Sequence, residues 1–93
     1  MDKETYEEMQ TVEKQMLFDL TLYLKEPEDE SLADRIFQAH KKWFSYSWPE
    51  YQPKAHKGLG MMYEADERFT AYYDERSGHG AAKALNEIIQ KKA

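Results

Sequence analysis

Three histidines are the side chains best suited to metal or acid–base chemistry. His40, His56 and His79 are separated by 16 and 23 residues, so they form no H-E-x-x-H pairing. The chain has no cysteine, which excludes disulfides, thiolate metal sites and cysteine nucleophiles. Nothing marks an axial haem ligand either. We predict no metal and no cofactor, and we expect His56 to be a structural or pocket-lining residue that hydrogen-bonds across a helix junction.

Other catalytic patterns are also missing from the sequence. No serine stands in a G-x-S-x-G context, and no glycine-rich loop follows a strand. The many carboxylates have the spacing of helix surfaces and caps. The sequence therefore predicts a protein that is not an enzyme.

Aromatic residues are concentrated between positions 43 and 51, in the segment WFSYSWPEY. Core packing is one interpretation, but this segment contains no leucine or isoleucine. Tyrosine and tryptophan have apolar faces and polar tips, which suits the walls of a partly wet cleft. Tyr63, Tyr72 and two methionines, Met61 and Met62, follow, and methionine adapts to ligands of varied shape. The pattern favours a pocket for a flat or bulky apolar molecule and leaves core packing open.

Composition and charge narrow the class of protein. The 93 residues predict one domain, 1–93, and 41% hydrophobic residues are enough for a core. Residues 1–34 hold 11 acidic and 3 basic side chains, whereas residues 35–93 hold 7 and 10. Because no clustered basic face results, we expect no nucleic acid to be bound by this chain itself. Without a signal-peptide pattern or a long apolar run, we expect a cytoplasmic protein and no membrane partner.

Helical periodicity predicts an all-α fold of about five helices. The long first helix, about 5–26, places Met9, Met16 and Leu20 on one face, with Glu13 and Asp19 among the polar residues of the other side. The predicted aromatic-rich core of the domain then spans 31–91. Its helices are expected from an N-cap at Ser31 to about 44–46, then over 53–64, 67–75 and 81–91, with Asp66 as the N-cap of the fourth.

Two glycines, Gly58 and Gly60, lie inside the predicted third helix. Each costs about 1 kcal/mol against alanine in a helix interior. Their presence indicates that another helix, a bulky side chain or a ligand comes very close. We accordingly expect Gly58→Leu to be destabilising through overpacking.

The stretch HKGLGMMYEADERFTAYYD, residues 56–74, resembles the TipAS family, the C-terminal antibiotic-recognition domain of MerR-type transcriptional activators. The strong similarity covers roughly 53–90, including Gly80 and the helix around 85–89, and a weaker one covers 39–50. The matching positions are His56, Lys57, Gly58, Leu59, Met62, Tyr63, Asp66, Arg68, Phe69, Thr70, Tyr73 and Asp74.

The resemblance implies a globin-like arrangement of short helices and non-enzymatic binding of bulky apolar or aromatic small molecules, antibiotics included. Such binding would serve transcriptional sensing or drug sequestration. The partner expected is a hydrophobic or heterocyclic molecule, with thiopeptide-like antibiotics among the candidates. The predicted ligand-binding residues are Trp43, Phe44, Tyr46, Trp48, Tyr51, His56, Leu59, Met62, Tyr63, Phe69 and Tyr72.

Two departures from the family limit what carries over. In the thiopeptide-binding member a cysteine bonds covalently to the antibiotic, and the corresponding position here is Tyr51. A phenol cannot add to a dehydroalanine as a thiolate does, so any ligand is expected to be held reversibly. The DNA-binding domain of the activators is also missing from these 93 residues. The chain is either a stand-alone binding domain or the effector part of a larger activator.

A different class of function stays open. The exposed aromatics could instead meet a protein partner or a second copy, which would make the chain a helical protein–protein interaction or dimerisation module. A tight dimer burying residues 43–51 would favour this alternative, whereas a monomer with an open cleft would favour ligand binding.

Overall fold

Five α-helices make up the computed structural model, which describes residues 2–93. They are α1 (Lys3–Lys25), α2 (Glu30–Ser45), α3 (Pro53–Ala65), α4 (Glu67–Ser77) and α5 (Ala81–Lys92). No strand occurs in the described residues. The predicted all-α fold of five helices is confirmed, while the globin-like arrangement stays a prediction. No helix between residues 2 and 93 combines the length and the apolar character needed to cross a membrane.

An antiparallel hairpin is formed by α1 and α2, and an ion pair between an exposed arginine and a buried aspartate joins its two helices. The Arg35 guanidinium donates to the Asp19 carboxylate at 2.9 Å, and Asp19 is only 2% exposed. Nearer the other end, the Tyr46 hydroxyl donates to Glu8 at 3.4 Å. The placement of Asp19 on the solvated side of α1 was therefore wrong. Its carboxylate tolerates burial because a charged donor satisfies it.

The start of α2 also differs from expectation. Asp29, not Ser31, is the N-cap, because its carboxylate accepts from the backbone N–H of Leu32 at 3.1 Å. The Ser31 hydroxyl donates to the same carboxylate at 2.6 Å. These two hydrogen bonds lower the pKa of Asp29. Both residues are good N-caps in isolation, and the carboxylate prevails because it accepts both donors and complements the helix dipole.

A sharp corner joins α3 to α4, and it is stabilised as the sequence predicted. The Asp66 carboxylate accepts from the backbone N–H of Arg68 at 2.9 Å and also from the Arg68 guanidinium. These bonds lower the pKa of Asp66. Across the corner, the Thr70 hydroxyl donates to the carbonyl of Tyr63 at 2.8 Å. The corner therefore holds two aromatic-bearing helices at a defined angle.

The next junction depends on Asp74. Gly80, the N-cap residue of α5, has no side chain to accept a hydrogen bond and adopts a positive φ of 90°. The Asp74 carboxylate supplies the acceptor instead, from the backbone N–H groups of Gly80 at 3.2 Å and Ala82 at 3.0 Å. One side chain of α4 thus caps the helix that follows it.

Helix α5 lies at the centre of the fold and contacts all four other helices. Its residues Leu85 and Ile89 are completely buried. Around them lie the buried side chains of Met16, Leu20, Ile36, Phe37, Tyr63 and Tyr73, contributed by the other four helices.

The two glycines of α3 have different surroundings, and the expectation for Gly58 was wrong. A Cβ at Gly58 would meet nothing within 4 Å, since this position faces solvent. A Cβ at Gly60 would lie 2.8 Å from the Asn86 Oδ1 and 3.2 Å from the Ile89 Cγ2. Another helix does come very close to α3, as inferred from the sequence. That helix is α5, and the close contact is at Gly60 and not at Gly58.

We predict different effects for the two alanine substitutions. Gly58→Ala should stabilise the fold by about 1 kcal/mol, because it adds helix propensity in open space. Gly60→Ala should leave the fold no more stable than the wild type or destabilise it by up to about 2 kcal/mol, because overpacking of about 1–3 kcal/mol cancels or exceeds the same propensity gain. Thermal unfolding measures both, at roughly 4–8 °C per kcal/mol for a domain of this size.

Each variant is the control for the other, since the chemical change and the helix are the same. If Gly60→Ala melts at or above the temperature of Gly58→Ala, the contact between α3 and α5 does not constrain position 60.

Candidate ligand-binding site

One pocket of the structure has mainly aromatic walls, and we call it the aromatic pocket. Its volume is about 270 Å³, and residues from α1, α2, α3 and α4 surround it. The lining side chains are Glu13, Trp43, Leu59, Tyr63, Phe69, Tyr72 and Tyr73.

The corner between α3 and α4 builds most of the wall. The ring of Tyr63 lies 4.8 Å from that of Tyr73 and 5.6 Å from that of Phe69, measured between centroids. Tyr72 meets Tyr73 edge-on at 5.1 Å. Tilted and edge-to-face contacts of this kind are favourable and restrict ring orientation. The pocket is therefore lined by rings that hold one another in place.

Glu13 of α1 supplies the carboxylate of the pocket. The Tyr72 hydroxyl donates a hydrogen bond to it. Burial and this carboxylate raise the pKa of Tyr72 to about 12, so the phenol stays protonated at neutral pH. On the same ring, the Arg76 guanidinium carbon lies 3.7 Å from the centroid, a cation–π contact.

Behind the pocket a chain of buried hydrogen bonds runs through two histidines. Tyr51 OH lies 2.9 Å from His56 Nδ1, His56 Nε2 lies 2.7 Å from His40 Nδ1, and His40 Nε2 lies 2.9 Å from Tyr63 OH. Each neutral imidazole has one N–H, so both histidines must share the same tautomer for all three bonds to form. The chain links the partly exposed Tyr51 to Tyr63 in the pocket wall. We call it the Tyr–His–His–Tyr chain.

Both histidines of this chain are neutral at pH 7. Burial lowers the pKa of His40 to about 3, helped by the adjacent His56. Burial and the nearby Lys41 ammonium lower the pKa of His56 to about 4. A doubly protonated pair would also place two N–H donors against each other at the 2.7 Å contact. The arrangement is a structural hydrogen-bond network, and burial also raises the pKa of the Tyr63 phenol.

Within residues 2–93 no group of three histidine, aspartate or glutamate side chains could hold a metal ion. The facing nitrogens of His40 and His56 are hydrogen-bonded to each other.

The comparison with protein-family models is decisive. The model described as the TipAS antibiotic-recognition domain matches residues 1–91, nearly the whole chain. The chain belongs to the TipAS family. The family description implies recognition of an antibiotic-like small molecule in the setting of a regulator, and the family is one of ligand-binding domains rather than a known enzyme family. Neither a search of curated proteins nor a search of solved structures found a match.

Five of the residues predicted to bind ligand meet in the aromatic pocket of this TipAS domain: Trp43, Leu59, Tyr63, Phe69 and Tyr72. The remaining six lie elsewhere in the structure.

Phe44, Trp48, Tyr51 and His56 form an adjoining layer behind the pocket. Phe44 stacks on both Trp48 and His56, with centroids 5.4 Å apart in each case. Tyr51 meets the His56 ring edge-on at 5.5 Å. Two members of this layer, Tyr51 and His56, belong to the Tyr–His–His–Tyr chain, which reaches the pocket wall at Tyr63.

Tyr46 and Met62 belong to neither group. Tyr46 lies beside the amino-terminal part of α1 in a groove of about 560 Å³ that is lined by Glu4, Glu7, Glu8, Thr11, Val12 and Lys42. Most of these side chains are exposed and polar, so the groove cannot bury an apolar molecule. Met62 is 40% exposed and lies on the outer side of α3.

Two lining residues of the TipAS domain were absent from the predicted set, Glu13 and Tyr73. The assignment of Glu13 to the solvated side of α1 was wrong, because it is half-buried and faces the pocket. The spacing of Glu13 from the apolar residues of α1 already indicated that it lies on the buried side of the helix. Glu13 precedes Met16 by three residues and Leu20 by seven, which places it on the apolar face of the helix.

We predict that the TipAS domain loses stability between pH 6.5 and about 4. The unfolded chain protonates His40 and His56 near pH 6.5, whereas the folded chain takes up these protons only near pH 3 and 4. The unfolded state therefore binds more protons in this window, and the free energy of unfolding falls by about 1.4 kcal/mol per pH unit for each histidine. Urea unfolding at pH 7.5, 6.0 and 5.0 measures the slope.

His56→Gln should make this slope shallower, because one of the two histidines no longer titrates. His79→Gln is the matched control, since His79 is fully exposed outside the buried chain. Equal slopes in the wild type, His56→Gln and His79→Gln would contradict the assignment of a buried neutral pair.

Proposed function

We propose that this TipAS domain reversibly binds bulky apolar, aromatic or heterocyclic small molecules, with antibiotics such as thiopeptides among them. The observation that supports the proposal is the aromatic pocket, whose rings Trp43, Tyr63, Phe69, Tyr72 and Tyr73 offer flat apolar faces. Apolar walls with few convergent polar groups are typical of small-molecule sites. Family membership adds independent support.

The size of the pocket limits which part of a ligand it takes. Its volume of about 270 Å³ is near the lower end of ligand pockets, which span roughly 300–1,000 Å³. It suits one fused ring system. A larger antibiotic would insert one heterocyclic group here and leave the rest of the molecule on the surface.

Reversible binding follows from the chemistry of the side chains. The chain contains no cysteine, and the Tyr51 hydroxyl is engaged with His56 at 2.9 Å. No thiolate can therefore add to an electrophilic ligand. The ligand is held by burial and stacking, and it dissociates on dilution.

Binding would serve to sense such compounds for a transcription regulator of the MerR type, or to sequester them, in the cytoplasm. In the first case the chain acts as the effector part that is coupled to a DNA-binding domain. In the second case binding alone lowers the free concentration of the drug.

Tryptophan fluorescence tests the proposal, because Trp43 lines the pocket and Trp48 does not. In Trp48→Phe, where Trp43 is the single reporter, we predict saturable quenching by a subset of a panel of thiopeptides, heterocyclic antibiotics and hydrophobic dyes. In Trp43→Phe the remaining Trp48 should respond weakly. Rapid dilution or dialysis should restore the original emission, since no covalent bond forms.

Phe69→Ala should weaken the same binding by about 1–2 kcal/mol, because it removes one half-buried ring from the wall. Met62→Ala is the control on the exposed side of α3 and should leave the affinity unchanged. A folded protein that shows no saturable response to any member of the panel below about millimolar concentration would contradict small-molecule binding.

A helical interaction module is the second candidate function. Phe18 and Leu22 lie one turn apart on α1 and are 52% and 39% exposed. Trp48 is also 44% exposed. Sedimentation at low concentration separates the two candidates. A tight dimer that dissociates in Phe18→Ser or Trp48→Ser would favour the interaction module, whereas a monomer that binds the panel favours the small-molecule site.

A further inference from the structure

Glu13 gives the aromatic pocket a chemical preference that apolar walls alone would not have. Of the seven lining residues, five carry aromatic rings, Leu59 is aliphatic, and Glu13 alone bears a formal charge. The carboxylate is half-buried beside the rings. Proteins recognise organic cations with aromatic faces of this kind, because the negative face of each ring attracts positive charge.

The Glu13 carboxylate has no cationic partner within the described residues. Between residues 2 and 93, no lysine, arginine or histidine nitrogen lies within 4.0 Å of it, and its Oε1 accepts a hydrogen bond from the Tyr72 hydroxyl. The Arg76 guanidinium is occupied over the Tyr72 ring and donates to the Tyr72 carbonyl at 3.0 Å. The second carboxylate oxygen is therefore left for a donor from outside the fold.

Glu13 is the main polar group that the pocket offers to a ligand, because the hydroxyls of Tyr63 and Tyr72 already have hydrogen-bond partners. The hydroxyl of Tyr63 is directed away from the cavity, toward His40 at 2.9 Å, so its ring is what faces a ligand. The hydroxyl of Tyr72 is directed at Glu13. Tyr63 and Tyr72 thus contribute mainly their ring faces, and the Tyr72 hydroxyl holds the carboxylate in position.

We infer that the aromatic pocket selects ligands that carry a planar cationic group, such as an alkylated or protonated nitrogen heterocycle, and that it places the positive nitrogen beside Glu13. This inference rests on the proposed function and names the ligand class for that site. The ring system stacks between the aromatic walls, and the carboxylate receives the charge. The specificity arises from one side chain of α1, whereas the apolar affinity arises from α3 and α4.

Three bicyclic probes of similar size test the preference in the wild-type chain: the cation 1-methylquinolinium, neutral quinoline and the anion 2-naphthoate. Each is small enough for a cavity of about 270 Å³. Measured by calorimetry or NMR titration at pH 7.5, the cation should bind about tenfold more tightly than quinoline, and the anion should bind least.

Glu13→Gln should abolish the advantage of the cation while the affinity for quinoline changes less than about threefold. Glu28→Gln is the matched control. It changes the net charge of the chain by the same amount, but Glu28 is exposed in the connection between α1 and α2. The cation should keep its advantage in this control, because general attraction by the net charge of −5 is weak and falls equally in both variants.

The outcomes separate this inference from the proposed function. If quinoline binds as well as the cation, or if the advantage of the cation survives in a folded Glu13→Gln, the inference is overturned and apolar binding stands. If a folded wild-type chain binds none of the three probes or the antibiotic panel, both are overturned. If Glu13→Gln does not fold, Glu13→Leu decides, because leucine also removes the charge and suits a wall of mainly apolar side chains. The cation should lose its advantage there, and its survival would overturn the inference.

Discussion

The hydrogen bond between His40 and His56 ties α2 to α3 inside the core, and the geometry of the pocket depends on it. The two imidazole rings are nearly parallel and 2.7 Å apart at their facing nitrogens. Both residues are completely buried, so each nitrogen needs a partner that water cannot supply. Tyr51 and Tyr63 provide the two terminal partners. One polar network therefore sets the position of Tyr63, and through Tyr63 the position of the neighbouring rings.

The groups that hold the aromatic wall in place differ from the groups that face the pocket. The polar network lies behind the aromatic wall, where its buried nitrogens all have hydrogen-bond partners, and the pocket side shows mainly ring faces. The helix junctions also help to hold the wall of the pocket in place. Asp66 fixes the corner between α3 and α4, and Asp74 caps α5, which fills the centre of the fold. In the proposed binding of flat molecules, a wall held by such supports would need little further ordering.

The differences between expectation and structure have a common origin. Periodicity located the five helices because an apolar face must be buried whatever it packs against. Glu13 and Asp19 were assigned to solvent by residue type. In the structure Asp19 accepts a hydrogen bond from Arg35, sixteen residues later, and Glu13 accepts one from Tyr72 on α4. Gly58 and Gly60 are alike in the sequence, and only the path of α5 across α3 distinguishes them. Each of these outcomes depends on a partner that is distant in the chain.

The sequence by itself determined the all-α fold, the five helices, the family and the exclusion of thiol chemistry, since these depend on local periodicity, motif and composition. It also named five of the seven residues that line the aromatic pocket. Only the tertiary structure decided that Phe44, Trp48, Tyr51 and His56 form a layer behind the wall, and that Glu13 gives the pocket its charge. The physical reason is that a side chain's burial and partners follow from how helices pack, and packing joins residues whose separation in the chain leaves no local pattern.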